Sequence, residues 1–197
     1  QFGLKAANAE SYNCARAYYN KLVPSKRDPR FLFTIIMYGF QQQIRFNGNH
    51  EFNNPVGMRW LNDKVLEKLI SFSRRIKEIP CSFFSTDYHE FELQIEEGGF
   101  IYMDPPYQLT NGSYNDGKRG FHGWSLKQER DLFEFADRLN EAGVQFMLSY
   151  VAEHKGTQNE NLLNWIGERG YTLIALEDVI GISGSRRKEV LVINYDV

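Results

Sequence analysis

Four consecutive residues of this 197-residue chain, Asp104-Pro105-Pro106-Tyr107, combine groups that could act together on a substrate. They follow the apolar segment 100–103, which we predict to be a buried strand. Ligands of an α/β sheet bind beyond the carboxyl ends of its strands, so this turn is well placed for chemistry. The prolines restrict the backbone and Pro106 has no N–H, so a carboxylate, a backbone carbonyl and an aromatic ring are held in fixed positions.

These three groups suit the methylation of an exocyclic amine, whose lone pair is delocalised into its ring and is a poor nucleophile. If Asp104 and the Pro105 carbonyl accept the two amino hydrogens, the nitrogen can direct its lone pair at an electrophilic methyl group while Tyr107 stacks on the base. A base in a duplex must first leave the stack. The alternative is a strand that ends in a proline turn with a surface aspartate, although the tetrapeptide arises by chance in only about one chain in some hundreds.

The sequence ahead of residue 79 predicts helices and one β-hairpin. Apolar periodicity predicts three helices, over residues 6–22, 29–38 and 63–77. Asp28 and Asn62 precede the second and third helices and are good N-cap residues. The dipeptide Asn47-Gly48 predicts a tight turn within a hairpin over 44–53.

From residue 79 onward, short apolar segments alternate with helices, which is typical of a parallel-type α/β sheet. The predicted strands cover residues 81–84, 100–103, 144–148, 171–175 and 190–194. The predicted helices cover 125–142 and 159–169. We therefore expect two regions, a helical and hairpin region over 1–78 and an α/β region over 79–197.

Charge, apolar runs, cysteines and histidines limit the kinds of partner, compartment and metal site that we expect for this chain. The formal net charge of −2 indicates that any contact with nucleic acid depends on local basic patches. No apolar run reaches the roughly 18 to 20 residues of a membrane span. Cys14 and Cys81 are interpreted as buried thiols of a reducing compartment, which favours the cytoplasm. The four histidines have no metal-site spacing, so no metal is expected.

The tetrapeptide, the order of the segments and three further motifs resemble the Dam-like N6-adenine DNA methyltransferases of bacteria and T-even phages, over nearly the whole chain. These motifs are Tyr38-Gly39-Phe40, Arg45-Phe46-Asn47 and Phe52-Asn53-Asn54-Pro55-Val56-Gly57. The resemblance implies S-adenosylmethionine as the cofactor and an adenine in double-stranded DNA, usually within GATC, as the target. It also implies a Rossmann-like methyltransferase sheet with an inserted helical and β-hairpin DNA-recognition domain.

The resemblance further implies that a recognition hairpin contacts DNA through Phe40, Gln41, Gln43, Arg45 and Asn47. Arg45 matches the family arginine that reads a guanine edge, for which bidentate pairing is the physical basis. Its alternative is a hairpin arginine on a solvated face, and Phe40 is either a wedge beside the flipped base or a core aromatic. The run Gln41-Gln42-Gln43 departs from the family hairpins, which leaves the recognition sequence open.

In the same family, Asp87 and Tyr88 match the segment that holds the adenine ring of S-adenosylmethionine, and Asp104 borders the same cofactor. An aspartate that merely ends a strand is the alternative. Five cations are candidates for phosphate contacts that position DNA without reading it, with a solvated basic turn as the alternative. They are Lys118, Arg119, Arg186, Arg187 and Lys188.

The chain departs from the family pattern at its beginning. A complete member starts with a Phe-x-Gly-x-Gly turn, and Phe2-Gly3-Leu4 lacks the second glycine, so we expect the cofactor segment to come from a longer parent or a partner. The strand before Asp104 would then have an unpaired edge that favours a complementary N-terminal segment or a homo-oligomer. A companion restriction endonuclease is a further candidate partner.

Two other functions remain open at the level of sequence. The chain could be a DNA-binding subunit that recognises and flips adenine without transferring methyl groups. It could also methylate an amine or amide of protein or RNA, although that tetrapeptide more often begins with Asn and the hairpin would then have no evident role.

Overall fold

The computed structural model describes residues 2–4, 8–90, 98–110, 124–176, 179–180 and 186–196. These residues form two compact units. The first contains the described residues up to Ser85, and the second contains those from Thr86 onward.

The first unit is built on three helices: α1 (Ala9–Lys21), α2 (Pro29–Tyr38) and α3 (Asp63–Glu78). Side-chain oxygens cap each of them: Asn8 accepts from the Ser11 N–H, Asp28 from the Arg30 N–H and Asn62 from the Val65 N–H. The caps predicted at Asp28 and Asn62 are therefore confirmed.

The core of this unit is aromatic and lies between α1, α2 and the segment that follows them. Its buried members are Tyr12, Ala15, Tyr19, Ile35, Ile36, Tyr38, Phe46 and Phe52. The rings of Phe46 and Phe52 meet edge to face with centroids 5.6 Å apart. In contrast, α3 has no buried residue.

The predicted hairpin is reduced to one isolated antiparallel bridge between Phe46 and Phe52. The turn is longer than the predicted Asn47-Gly48 pair, because the Asn47 N–H donates to the Glu51 carbonyl and Asn47 Oδ1 accepts from the N–H groups of Asn49 and Glu51. The Asn47 side chain thus organises a wider loop than the two-residue turn that its dipeptide favours.

The second unit contains a mixed sheet with two helices. The strands are β1 (Phe100–Met103), β2 (Gln145–His154), β3 (Thr157–Gln158), β4 (Thr172–Ala175), β5 (Val179–Ile180) and β6 (Arg186–Ile193). The helices are α4 (Leu126–Glu141) and α5 (Glu160–Arg169). The main path of the sheet is β1-β2-β6-β4, with β3 paired to β2 and β5 paired to β6.

The expectation of a parallel-type sheet holds for only one pair of the described strands. β1 and β2 run parallel, with Met103 opposite Leu148, whereas β6 runs antiparallel to β2, β4 and β5. Alternating apolar segments and helices do not specify strand direction. The helix α4 connects the parallel pair β1 and β2, as parallel strands require a crossover, whereas antiparallel neighbours do not.

Aromatic side chains from both helices pack together over β2. The rings of Phe133 on α4 and Trp165 on α5 are stacked with centroids 4.3 Å apart, and Phe146 of β2 lies next to Trp165. This packing fixes α4 and α5 relative to the strand that follows β1 in the sheet.

The predicted strand over residues 81–84 and the predicted burial of Cys14 and Cys81 are both wrong. This segment is not a strand. The side chains of Phe83 and Phe84 are 72% and 71% exposed, although Phe84 still interacts with another residue. Cys81 is exposed, as is Cys14 on the outer side of α1. A short segment rich in apolar residues is buried only when a neighbouring strand or helix covers it, and that depends on tertiary structure.

The described parts of the chain contain neither a helix suited to a membrane nor a cluster suited to a metal ion. None of their helices is long and apolar enough to cross a membrane. They also contain no cluster of three or more His, Cys, Asp or Glu side chains that could hold a metal ion.

Candidate active site

The Asp104-Pro105-Pro106-Tyr107 turn leaves the sheet directly after β1. Tyr107 Oη donates a hydrogen bond of 2.9 Å to Asp104 Oδ1 and lies 3.2 Å from Ser149 Oγ on β2. Because Met103 and Leu148 are paired in parallel strands, Asp104 and Ser149 each follow a member of this pair, although β1 ends there and β2 continues to His154. The tyrosine hydroxyl therefore joins the turn to the neighbouring strand.

Tyr107 is a neutral hydrogen-bond donor at physiological pH. Burial raises the pKa of Tyr107 to about 12, and the nearby Asp104 carboxylate acts in the same direction while the Ser149 hydroxyl opposes it. The hydroxyl consequently keeps its proton and donates a hydrogen bond to the Asp104 carboxylate.

Two further residues define the surroundings of the Tyr107 ring. The Tyr150 ring meets it edge to face with centroids 5.6 Å apart, and the Arg187 guanidinium lies over it at 5.6 Å from its centroid. Arg187 also forms an ion pair with Glu189 on the same strand. A cation over one ring face holds the ring by a cation–π interaction.

Behind Tyr107, Tyr150 is anchored by a buried polar network centred on Glu129 of α4. Tyr150 Oη donates to Glu129 Oε1 at 2.9 Å and accepts from Trp124 Nε1 at 2.9 Å. Asn159 Nδ2 donates to the same carboxylate oxygen at 2.7 Å, and Asn161 Nδ2 donates to Oε2 at 3.2 Å. Burial raises the pKa of Tyr150, and the Glu129 carboxylate raises it further.

Sequence analysis missed Glu129, although the sequence carries a signal for it. The predicted helix has buried residues Leu132, Phe133 and Ala136 at helical spacing from position 129. A carboxylate in such an apolar stripe requires hydrogen-bond donors, because an unpaired buried charge is costly.

The proposed cofactor residues Asp87 and Tyr88 lie in the second unit. Asp87 Oδ1 accepts from the His89 N–H at 3.0 Å and lies 2.7 Å from His89 Nδ1. These two hydrogen bonds, the backbone one first, lower the pKa of Asp87 and favour its carboxylate form. His89 also packs on the Tyr88 ring with centroids 3.9 Å apart, so this histidine helps to shape the segment.

Tyr88 is half-buried and connects this segment to α4. Its ring meets the Phe135 ring edge to face at 5.3 Å, and burial raises the pKa of Tyr88 to about 12, with Asp131 and Asp87 adding to the effect. The Tyr88 Oη atom is buried and has no hydrogen-bond partner among the described residues.

The first unit holds the five proposed DNA-reading residues in one short segment. Phe40 is 48% exposed and begins a 3-10 turn, and Arg45 is exposed and forms no ion pair with any described residue. Gln41 is exposed and Gln43 is half-buried, while Asn47 Nδ2 donates to Glu51 Oε2 at 2.7 Å. The structure thus brings these residues together and gives Asn47 a role in the turn.

The proposed phosphate contacts differ in their surroundings. Lys118 and Arg119 lie outside the described residues, as does the side chain of Arg186. Lys188 Nζ pairs with Glu153 Oε2 at 2.6 Å, and Arg187 pairs with Glu189. Both cations therefore have carboxylate partners within the sheet.

Comparison with known proteins shows which family the sequence of this chain matches. The sequence matches the family described as D12 class N6 adenine-specific DNA methyltransferase over residues 5–179. It is 37% identical to the type II methyltransferase M.FokI of Planomicrobium okeanokoites over 99% of this chain and 30% of that protein. It is 34% identical to the modification methylase StsI of Streptococcus sanguinis, over 100% of this chain and 31% of that protein.

A more distant similarity connects the chain to a smaller protein. It is 25% identical to the DNA adenine methylase of Escherichia coli (strain K12), over 90% of this chain and 63% of that protein. The chain thus spans about a third of the length of the first two relatives and somewhat less than two thirds of the third.

Proposed function

Because the chain belongs to the D12 class N6 adenine-specific DNA methyltransferase family, we propose that it transfers a methyl group from S-adenosylmethionine to N6 of an adenine flipped out of double-stranded DNA. The observation that carries the proposal is the hydrogen-bonded pair of Asp104 and Tyr107 at the carboxyl end of β1. The pair supplies a carboxylate and an aromatic ring at the edge of the sheet where ligands of α/β proteins bind.

Asp104 and Pro105 would act on the amino group of the adenine. Asp104 Oδ1 accepts from Tyr107, while Oδ2 accepts no hydrogen bond from the described residues and is free for one amino hydrogen. The Pro105 carbonyl would accept the other hydrogen. Withdrawal of the amino hydrogens from the plane of the purine directs the nitrogen lone pair toward the methyl group.

Tyr107 would hold the purine by stacking. The Arg187 guanidinium lies over one face of its ring, so a base would stack on the face opposite Arg187. The Glu129 network behind Tyr150 would keep this face in place.

Asp87 and Tyr88 are suited to the adenine ring of the cofactor. Asp87 favours its carboxylate form and can accept an amino hydrogen, and Tyr88 presents a half-buried ring whose buried hydroxyl lacks a described partner. When bound, S-adenosylmethionine supplies a methyl group on a positively charged sulfur. The protein's own part is to orient that methyl group near Asp104 and to exclude water.

DNA reading is assigned to the segment that contains Phe40, Gln41, Gln43, Arg45 and Asn47. Exposed Arg45 can form a bidentate pair with the O6 and N7 atoms of a guanine in the major groove. GATC is the first sequence to test. The five cations named above, from Lys118 to Lys188, would contact phosphates, and those with carboxylate partners would have to exchange them for phosphates.

A binding measurement followed by a transfer measurement tests the proposal. Calorimetry with S-adenosylmethionine, with and without a GATC duplex, shows whether the chain binds its cofactor. Replacement of Asp104 by Ala should abolish methyl transfer and leave duplex binding nearly unchanged. Asp196→Ala, at an exposed aspartate of the same unit, is the matched control and should transfer normally. Methyl transfer by Asp104→Ala would remove Asp104 from the mechanism.

A second candidate function is a DNA-binding subunit that needs a further polypeptide for cofactor binding. It is favoured by β1, for which the described residues provide a partner strand only on the β2 side, and whose Phe100 and Tyr102 are more than half exposed. Such an edge can pair with a complementary N-terminal segment or with a second copy of the chain. The similarity of the chain to the modification methylase StsI supports a companion restriction endonuclease as another partner.

The two candidates differ in cofactor binding. Salt-dependent binding of duplex DNA without binding of S-adenosylmethionine, by a folded chain, would favour the subunit. Sedimentation of the chain alone distinguishes a monomer from a homo-oligomer formed through β1. Substitution of Tyr102 by Lys at the exposed edge should then shift an oligomer toward monomer.

A further inference from the structure

The loop over residues 40–43 has a backbone conformation that needs external support. Gln41 and Gln42 have φ angles of 49° and 58°, the left-handed region that residues with a Cβ rarely occupy. Two consecutive residues of this kind are maintained only when surrounding contacts determine their conformation. The contacts that hold this loop therefore decide how it is presented.

Asn54 supplies the contacts at both ends of the loop. Its Nδ2 donates to the Phe40 carbonyl at 3.0 Å and to the Gln43 carbonyl at 3.1 Å. The side-chain orientation is unambiguous, because only the nitrogen of the amide can donate to two carbonyl oxygens. The residue is 1% exposed, so water does not compete for these hydrogen bonds.

Asn54 is itself fixed by the helical core. The backbone carbonyl oxygen of Asn54 accepts from Tyr12 Oη at 2.8 Å and from Arg16 Nη1 at 2.7 Å, both on α1. Tyr12 is fully buried. A continuous set of hydrogen bonds therefore runs from α1 through Asn54 to the loop.

The surroundings of Asn54 accommodate this amide at a cost. Its Oδ1 is buried and has no hydrogen-bond partner among the described residues, which is unfavourable for folding. The neighbouring Gly39 is also required, because a Cβ at that position would lie 2.5 Å from Asn54 Nδ2. A residue selected only for packing would avoid the unpaired oxygen, so the two donated hydrogen bonds are the feature that accounts for this side chain.

We propose that Asn54 is a positioning residue for DNA sequence recognition. By holding the carbonyls of Phe40 and Gln43, it maintains the loop that presents Phe40, Gln41 and Gln43, without contacting DNA itself. This inference rests on the proposed function, in which the loop contacts the duplex. Loss of the two hydrogen bonds would release the loop and reduce discrimination between sequences more than it reduces overall duplex affinity.

Two substitutions test the proposal in the full chain. Asn54→Asp retains the size of the side chain and removes both donated hydrogen bonds, and Asn54→Leu removes them without adding charge. Ile35→Val, at a fully buried position of the same core, is the control for loss of stability alone. All three variants are compared at a temperature at which circular dichroism shows them folded.

The first readout does not depend on DNA. Backbone amide hydrogen exchange is followed at Gln42 and Gln43, whose N–H groups donate to the carbonyls of Gly39 and Phe40. Exchange at these amides should accelerate by about tenfold or more in both Asn54 variants and not in Ile35→Val, as expected for local opening. Unchanged exchange would overturn the inference, whatever the chain does with DNA.

The second readout is selection from a pool of duplexes with randomised central base pairs. The enrichment of preferred sequences should fall by about tenfold in the Asn54 variants, the scale of one base-pair contact, while binding of the unselected pool changes little. Retained enrichment would overturn the inference. Absence of enrichment by the unmodified chain would instead refute the proposed recognition function, and with it the role of Asn54 in reading DNA.

Discussion

The hydroxyl of Tyr107 donates a hydrogen bond of 2.9 Å to Asp104 Oδ1, so the aromatic ring and the carboxylate of the turn are held as one unit. Ser149 Oγ, 3.2 Å from the same hydroxyl, ties this unit to β2. The two side chains proposed to activate and to stack on the adenine are therefore positioned together, and a change in one should affect the other.

Tyr107→Phe separates these two roles. The variant retains the ring for stacking and loses the hydrogen bonds to Asp104 and Ser149, so methyl transfer should slow by about tenfold with little change in KM for DNA. Tyr107→Ala should also lose stacking, worth about 1 to 3 kcal/mol. Steady-state kinetics measure both effects. The control is Tyr195→Phe, because Tyr195 lies in the same unit and its hydroxyl forms no hydrogen bond with the described residues. An unchanged rate in Tyr107→Phe would show that the hydroxyl does not orient Asp104.

Glu129→Gln should destabilise the second unit. The carboxylate accepts from three donors, and the amide nitrogen of Gln would face one of these donors instead of accepting from it. The expected loss in the free energy of unfolding is about 1 to 3 kcal/mol. Glu134→Gln, at an exposed position of the same helix, should change it by less than about 0.5 kcal/mol. Chemical denaturation provides the comparison, and equal stability of the two variants would contradict the network.

Asp28→Asn should reveal a stabilising carboxylate at the start of α2. Hydrogen bonds from the Arg30 side chain, and then from its backbone, lower the pKa of Asp28 from 3.8 to about 2. A lowered pKa in the folded state adds stability that is fully present above pH 3.8 and is lost as the pH falls toward about 2. The variant retains a capping oxygen and loses only the charge. Its melting temperature should therefore be below that of the unmodified chain at neutral pH, because the interaction of the carboxylate with Arg30 is lost.

The difference in melting temperature between the unmodified chain and Asp28→Asn should disappear over that acidic window. Asp63→Asn, in the first turn of α3, is the control, because Asp63 forms no ion pair with a described residue. A difference that is independent of pH would exclude the charge of Asp28 as its source.

Gly39→Ala and Gly167→Ala should have opposite effects on stability. A Cβ at Gly39 would approach Asn54 Nδ2 to 2.5 Å, whereas a Cβ at Gly167 in α5 would meet nothing within 4 Å. We expect Gly39→Ala to destabilise by about 1 to 3 kcal/mol, as in other overpacked sites. Gly167→Ala should stabilise by about 0.5 to 1 kcal/mol, because alanine favours a helix interior. Thermal unfolding measures both, and a neutral Gly39→Ala would mean that Asn54 moves without cost.

Arg45→Ala tests the reading of DNA. If Arg45 pairs with a guanine edge, its removal should weaken discrimination at a single base pair by about 1 to 3 kcal/mol. Arg74→Ala, which removes an exposed arginine from α3, is the control for loss of charge. Competition binding with single-base variants of the preferred duplex measures the effect. A uniform loss over all sequences, with a smaller salt dependence, would instead identify Arg45 as a phosphate contact.

Local sequence was sufficient for the features that depend on near neighbours. The caps at Asp28 and Asn62 act on amides two and three residues away, and each was predictable from the residue type and the apolar pattern that follows. The Asp104-Pro105-Pro106-Tyr107 turn is likewise local, because the two prolines restrict its backbone wherever the chain places it.

Tertiary structure alone decided which distant groups meet. Tyr107 and Ser149, like Tyr12 and Asn54, are 42 residues apart, so no local pattern relates them. The same holds for the exposure of Phe83 and the antiparallel direction of β6, which depend on what packs beside them. The type and spacing of residues determine which hydrogen bonds and apolar contacts they can make. Only the folded chain supplies the partners, because burial and strand pairing depend on elements that are far apart in sequence.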